Sequence, residues 1–363
     1  MERLGVGVLG AGGIARHHGQ GWASFPERAA LVAVADVSEP RAAAFADRFA
    51  AGAARRYASI DELLADPEVQ AVDICLPHHL HAGAIVAAAR AGKASLCEKP
   101  LGTTMADAAE IAAVLRDAGV PFMMAHNQRF QPSAIEARRL LAEGALGDVY
   151  LVRSIEASQQ RGPTTGELPP DLAAGESPWV WRGDPNRMGG GELLDTGWHG
   201  VYRLLALVGP DERPIDVSAA LARCLHRGLA AEDTGLVVVR FASGLVGEVL
   251  TSWAFAMPGD RQFEIAGELG SLAGSETGIT HQLHGWPATE RPLAPVHTFT
   301  DEIGHFLDVV QRGARCLAPF AEGARALQII RAAYRSAADG RVIPLPVDPL
   351  VDPDDLVVRS GVA

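Results

Sequence analysis

Cysteine is scarce in this chain of 363 residues, which holds four. Cys75, Cys97, Cys224 and Cys316 are scattered, and no C-x-x-C pair occurs. That spacing offers neither a disulfide framework nor a zinc ribbon, and it predicts buried free thiols in a reducing cytoplasm. Positive charge is also short. Lys and Arg total 32 against 44 Asp and Glu, a net charge of -12, which excludes a nucleic-acid-backbone binder that needs a basic face. No apolar run reaches the roughly 18 residues that span a bilayer. The start, "MERLGVGVLGAGG", lacks a basic segment followed by a separate cleavage site, so no signal peptide is expected. What remains is ordinary for a soluble globular protein: 48% hydrophobic and 21% charged residues. The length suggests two domains, because single cores stop growing at roughly 250–300 residues.

The first third alternates two periodicities. Residues 4–10, 30–36, 71–77, 93–97 and 121–126 are short apolar runs, as expected of strands covered on both faces. Between them, residues 14–25, 39–50, 82–91 and 105–118 carry apolar residues at helical spacing and many alanines. Gly92 and Gly119 stand where helix C-caps belong. Strand–helix repetition predicts a doubly wound parallel sheet, a Rossmann domain, over residues 1–127. After Gln131 a helix ends near Gly144, and alternating strands follow in 149–158, 214–224, 234–244, 245–255 and 261–270. "FASG" and "GELG" read as hairpin turns. Residues 161–178, rich in Pro, Gly and Thr, read as a long functional loop. Two helices follow near 300–312 and 322–338. The expectation is an α+β domain over 128–345, with a large, mostly antiparallel open sheet, and an acidic, loosely pinned tail over 346–363.

Two segments carry chemistry. Gly10-Ala11-Gly12-Gly13-Ile14-Ala15 is a G-x-G-x-x-G/A loop between the first strand and the first helix. Its glycines let backbone approach a pyrophosphate, and the helix start adds amide donors. Asp36 ends the second strand, where an acid accepts hydrogen bonds from an adenosine ribose and repels a 2′-phosphate. The cofactor expected is NAD. NADP is the runner-up, with Arg41 the nearest arginine. In "LCEKPLGTT", Glu98 and Lys99 follow an apolar run and Pro100 breaks the ladder. Charges at the carboxyl end of a parallel strand point to the ligand crevice.

Together these residues resemble the glucose–fructose oxidoreductase, inositol dehydrogenase and rhizopine-catabolism family across nearly the whole chain. The likeness runs from the glycine loop through "CLPHHLHAGAIVAAARAGKASLCEKPLGTT" and Arg129 in "NQRFQP" to "WVWRGDPNRMGGGELLDTGWHG". Leu76 and His78 stand where the family usually has threonine and asparagine, while Pro77 and His81 keep their places. The resemblance implies a Rossmann domain followed by an open sheet that often forms an oligomer interface. It implies that Leu76, Pro77, His78, His81, Glu98, Lys99 and Asn127 line the cofactor with Gly10, Gly12, Gly13, Ile14, Ala15 and Asp36. It makes Lys99, Asp195 and His199 the catalytic set. His199 is then the general base, Asp195 orients the imidazole or holds a substrate hydroxyl, and Lys99 polarises the reacting oxygen.

Asp195 and His199, four residues apart, would share one helix face, and Gly189–Gly191 would leave room for a ligand near the backbone. Asp and His at this spacing also suit zinc or manganese, but no third ligand is evident, so proton transfer ranks above metal and no metal is expected. His78, His79 and His81 read as a strand-to-helix loop, and His17 and His18 carry no assignment. Around the pair, Trp179, Trp181, Arg182 and Trp198 suit a sugar, or form a hydrophobic plug; Arg129 and Arg182 suit an acid group, or pair with Asp184 or Glu136. The substrate-binding set expected is Lys99, Arg129, Trp181, Arg182, Asp195, Trp198 and His199. The leading function is hydride transfer between nicotinamide and a secondary alcohol or ketone of a sugar or cyclic polyol. The rivals are an NAD-dependent glycoside hydrolase working through transient oxidation, and a non-catalytic cofactor sensor. The partners expected are a small-molecule substrate and a second copy of the chain, in a homodimer or homotetramer formed through the open sheet, with no nucleic acid or membrane.

Overall fold

The computed structural model describes residues 3–160 and 179–353. The expected functional loop at 161–178 and the last ten residues of the tail lie outside the described residues. The chain forms two compact units. The first holds residues 1–102, 106–127 and 297–323, and the second holds 103–105, 128–296 and 324–363. A contiguous division at 127/128 therefore misses the late return of 297–323 to the first unit.

Six parallel strands build the first unit: β1 (Leu4–Leu9), β2 (Ala29–Ala35), β3 (Arg55–Tyr57), β4 (Ala71–Ile74), β5 (Ala94–Glu98) and β6 (Phe122–Ala125). Their order, β3-β2-β1-β4-β5-β6, is the doubly wound one, with its switch point between β1 and β4. Strands β1, β4, β5 and β6 are buried along their whole length, which is why their sequences run apolar without alternation. Strand β3 has no such run. It is a three-residue edge strand with two exposed arginines, invisible to a search for apolar segments. Helix Met105–Ala118 lies where periodicity put it. Gly92 and Gly119 end their helices at φ +70° and +64°. Helix His78–Arg90 begins four residues before the expected 82, directly after Pro77. His78, His79 and His81 thus lie in its first turn and not in a loop.

Helix Thr298–Arg312 packs on helix Ala15–Ala23 within the first unit. The approach is close enough that a Cβ on Gly21 would lie 2.5 Å from Ile303 Cδ1. Trp22 meets Phe306 edge-on at 6.1 Å, and Arg28 binds Asp308 at 2.8 Å.

The second unit is built on a nine-stranded sheet: β7 (Val149–Ala157), β8 (Pro214–Ala222), β9 (Thr234–Phe241), β10 (Val246–Ser252), β11 (Arg261–Gly267), β12 (Gly270–Ser275), β13 (Gly278–Leu283), β14 (Thr289–Pro292) and β15 (Ile343–Pro344). The order is β14-β13-β12-β11-β7-β10-β9-β8-β15, antiparallel except for the β7–β10 pair. The two expected hairpins are present, β9–β10 around Gly244 at φ +96° and β11–β12 across Gly267 and Gly270. Helices Pro132–Ala142 and Gly197–Val208 pack on the sheet. The first part of the tail is held down: Arg325 donates to the carbonyls of Pro346 and Val347, and Gln328 to those of Asp348 and Val351. That corrects the expectation of a loose tail as far as the described residues go. The four cysteines are free, but Cys224 is exposed, so burial does not extend to all of them.

Candidate active site

In the first unit the glycine loop is shaped for an anion. Gly10 takes φ +91°, and a Cβ there would sit 2.5 Å from the Cys75 carbonyl oxygen, so this turn needs glycine. Gly12 and Gly13 differ: a Cβ on either would meet nothing within 4 Å. Their outer side is open space. The helix that follows has no side-chain cap at Ile14 and no acid in its first turn. Its positive end faces the open side of the loop, which fits a pyrophosphate.

Asp36 lies at the end of β2 but is not a bare acceptor. Its Oδ2 accepts from the Ala11 amide at 2.8 Å, and its Oδ1 from the Ser38 amide at 2.8 Å and from Arg41 Nη2 at 3.0 Å. The carboxylate ties the glycine loop to the end of β2, and Arg41 is already engaged by it.

At the ends of β4 and β5 the expected cofactor rim divides. Leu76, Pro77 and Lys99 are half-buried, and the Lys99–Pro100 peptide is cis. His78 is buried, and His81 is fully so. The two ring nitrogens of His81 lie 2.7 Å from the carbonyl oxygens of Pro100 and Leu76. Burial pushes its pKa down to about 4, so the ring is neutral near pH 7 and donates its one N–H to one of these carbonyls. His81 is therefore a strut between the end of β4 and the Pro100 corner, not a rim contact. Asn127 donates to Thr298 Oγ1 at 3.0 Å.

Glu98 departs most from expectation. It does not project into a crevice; it is buried, with Oε1 3.1 Å from His18 Nε2 and Oε2 accepting the Lys99 amide at 3.0 Å. His18, left unassigned by sequence, is wholly buried, with Nδ1 2.9 Å from both Asp73 oxygens. The Trp22 indole also donates to Asp73, at 2.6 Å. Two signals were present in the sequence. Ala15, His18, Gly19 and Trp22 form one helical stripe, and Asp73 is a charge inside the apolar run "AVDIC" that had to find a partner. Donor atoms of His18, Asp73 and Cys75 lie within 4.8 Å of one another. The histidine and the carboxylate are already bonded to each other, so the arrangement reads as a hydrogen-bond network before a metal cage.

In the second unit, Asp195 lies in the turn before helix Gly197–Val208, and His199 in the first turn of that helix. They are not two positions on one regular helix, because a Gly197 N–H to Glu192 carbonyl bond of 2.9 Å widens the backbone there. Asp195 is buried, and its Oδ2 accepts from Arg182 Nε at 2.5 Å. Arg182 thus pairs with the candidate catalytic carboxylate, not with Asp184 or Glu136. Its guanidinium stacks on Trp181 at 4.6 Å. Trp181 in turn packs on Met188, Leu229 and Trp253, which makes it more plug than sugar platform. Trp198 is fully buried and belongs to the core, so it is no substrate wall. Arg129 is half-buried just after β6, and His199 is half-buried too.

The three glycines before this turn leave no room for a ligand. A Cβ on Gly189 would lie 2.6 Å from Thr103, one on Gly190 2.3 Å from the Tyr334 hydroxyl, and one on Gly191 2.3 Å from the Glu232 carbonyl oxygen. They let the chain pass close to its own core. Two buried acids that sequence reasoning missed support the turn. Glu192 Oε1 accepts from the hydroxyls of Thr196 and Thr251, each at 2.5 Å, and Glu232 Oε1 accepts from the Tyr334 hydroxyl at 2.8 Å. Burial raises the pKa of both.

Residues 4–126 match the profile of an oxidoreductase family with an NAD-binding Rossmann fold, and residues 134–273 match the GFO/IDH/MocA C-terminal domain. The chain belongs to the Gfo/Idh/MocA oxidoreductase family. Levoglucosan dehydrogenase of Pseudarthrobacter phenanthrenivorans is 27% identical over 95% of this chain and 99% of its own length. Inositol 2-dehydrogenase of Rhizobium meliloti is 28% identical over 93% and 98%. Among solved structures, GenD2 from gentamicin A biosynthesis, in complex with NAD, superposes with a TM-score of 0.79 at 28% identity, over 95% of this chain and 97% of that one. The protein is a dehydrogenase-type oxidoreductase of this family, with an NAD-binding Rossmann unit. Among its described residues no helix is long and apolar enough to cross a membrane.

Proposed function

We propose that the protein moves a hydride between NAD and a secondary alcohol or ketone of a sugar, cyclic polyol or sugar derivative. The observation that carries this reading is the open side of Gly12 and Gly13 at an uncapped, acid-free helix start, in a chain whose relatives are named for sugar and inositol oxidation. A bound nicotinamide supplies the hydride acceptor or donor. Gly12, Gly13 and the positive end of helix Ala15–Ala23 would hold the pyrophosphate. Asp36, already acceptor to Ala11 and Ser38, meets the adenosine ribose. His199 takes the hydroxyl proton at an imidazole nitrogen. Lys99 places an ammonium against the charge that builds on the reacting oxygen. Asp195, oriented by Arg182, accepts a hydrogen bond from the imidazole or from a neighbouring substrate hydroxyl.

The test is NADH formation across a panel of free polyols and sugars, run in parallel with NADP. Net NADH from at least one free polyol or sugar is expected, and release of a glycoside without net NADH would replace this reading with redox-assisted hydrolysis. Isothermal titration should show NADH binding more tightly than NADPH, because the Asp36 carboxylate repels a 2′-phosphate and already occupies Arg41. Equal or tighter NADPH binding would defeat the cofactor assignment.

A further inference from the structure

We infer that His18 is a positioning residue for Lys99, its ring clamping the Glu98–Lys99 corner to the helix that leaves the glycine loop. The inference rests on reading Lys99 as catalytic. The geometry is a chain of contacts inside the first unit. His18 Nδ1 lies 2.9 Å from both oxygens of Asp73, at the middle of β4. Its Nε2 lies 3.1 Å from Glu98 Oε1, and Glu98 Oε2 accepts the Lys99 amide at 3.0 Å. A neutral imidazole would turn a lone pair toward one of the two carboxylates. Only the imidazolium donates to both.

The surroundings agree. Burial alone would lower the His18 pKa, but Asp73 and the Cys75 side chain raise it well above its ordinary value. The titratable groups around the ring are Asp73, Cys75, Cys97, Glu98 and, from helix Thr298–Arg312, Glu302, with the Phe299 ring packed at 5.5 Å. Glu302 is fully buried, and burial raises its pKa well above the usual carboxylate range. The Trp22 indole fills a further acceptor position on Asp73.

A buried ion cluster is seldom the most stable filling for a core, since an apolar replacement of similar volume is often as good. What this one does is fix position. Helix Ala15–Ala23 begins at the glycine loop, so the same helix that receives the cofactor phosphates holds the backbone of Lys99. The ammonium is thereby placed relative to the cofactor, and a displacement of about 1 Å in such a group costs up to a hundredfold in rate.

The experiment compares His18→Gln, which keeps one donor without the charge, with His18→Phe, which fills the space with neither. Glu98→Gln is the second probe should the His18 variants fold poorly. Two readouts are taken on folded protein: kcat and KM for NAD, and hydrogen exchange at the Lys99 amide. His18→Gln and Glu98→Gln should each lower kcat about tenfold to a hundredfold while KM for NAD stays within about twofold. Both should speed Lys99 exchange about tenfold, and His18→Phe should do more on both counts. If the variants lose thermal stability but keep wild-type kcat and Lys99 exchange, His18 is merely structural and the inference fails. Stoichiometric zinc in the purified wild type that is lost in His18→Gln also overturns it, in favour of a metal site. If no polyol is turned over by the wild type, the catalytic reading of Lys99 has failed, and the exchange measurement still decides whether His18 holds the corner.

Discussion

Glu98 and Lys99 are neighbours in sequence and part company in space. The carboxylate turns inward to His18, and the lysine stays half-buried beyond the end of β5. Lys99→Ala should therefore damage turnover more than folding, lowering kcat/KM about a hundredfold, the scale of losing one preorganised electrostatic stabiliser. NAD affinity should fall only modestly, since the glycine loop and Asp36 remain. His199→Ala should lower turnover comparably and abolish the acidic limb of the pH–rate profile. The two losses should not multiply in the double variant, because the proposed reaction has both groups act on one oxygen and its proton. Multiplying losses would show that they serve separate steps. Glu136 gives a stability test of known sign. Its hydrogen bond to Arg139, with help from Arg291, holds its pKa down to about 2 against an ordinary 4.5. The bonus is present above the ordinary value and is lost as pH falls from 4.5 toward about 2. The gap in melting temperature between wild type and Glu136→Gln should close over that window; a gap constant with pH would mean the carboxylate's charge contributes nothing. At this scale the sequence was informative where local pattern determines backbone shape, as at Gly10, whose turn needs glycine. For His18 the helical stripe and the charge inside "AVDIC" marked residues in need of partners, but which partners they find, Asp73 and Glu98 at 55 and 80 residues away, is set by tertiary packing.

Elements were legible wherever burial imposed a period. Strands β1, β2, β4, β5 and β6 and the four longer helices between them emerged from apolar runs and 3.6-residue spacing, while the short helix Ile60–Leu64 did not. Strand β3 and the outer strands β12–β14 did not. Arg55 and Arg56 are exposed, β14 is exposed throughout, and β12 is a Gly-, Ser- and Ala-rich strand with little apolar bulk. The segment Gly189–Gly191 shows how a correct element can carry a wrong role. Its glycines were read as space for a ligand, yet each lies against the protein's own atoms. Gly190→Ala should thus cost about 1–3 kcal/mol by overpacking against the Tyr334 hydroxyl, which accepts from the Gly191 amide at 2.9 Å. Denaturant unfolding would measure it. An unchanged midpoint for Gly190→Ala would show that the turn yields freely and that a ligand has room there.

At the scale of the whole molecule the second unit's sheet has two unlike faces. One is packed by helix Gly197–Val208: a Cβ on Gly200 would lie 2.7 Å from Val249, and one on Gly247 2.7 Å from Leu204. The alternate residues point the other way. Leu236, Val238 and Arg240 on β9 and Val246, Glu248 and Leu250 on β10 are half-buried or exposed, in strict alternation with buried neighbours. Leu236 is 42% exposed, an aliphatic side chain in a broad surface of strands. Arg153 binds Glu248 at 3.1 Å and Glu264 at 3.0 Å, so the charges on this face largely neutralise one another. A broad face with aliphatic side chains and internally paired charge is suited to a second copy of itself across a two-fold axis, where the same patch serves both subunits. We expect a homodimer, or a homotetramer built from such dimers, joined through this face. Light scattering at micromolar concentration should report at least twice the chain mass of 38.2 kDa. Val238→Arg, placed in the middle of β9, should shift the protein toward monomer, because two like charges would then be buried near the axis without partners. Lys99 and His199 lie outside the sheet, so the monomeric variant should still bind NADH. A wild type that scatters as a monomer, or a Val238→Arg variant of undiminished mass, would show that this face meets solvent and not a partner.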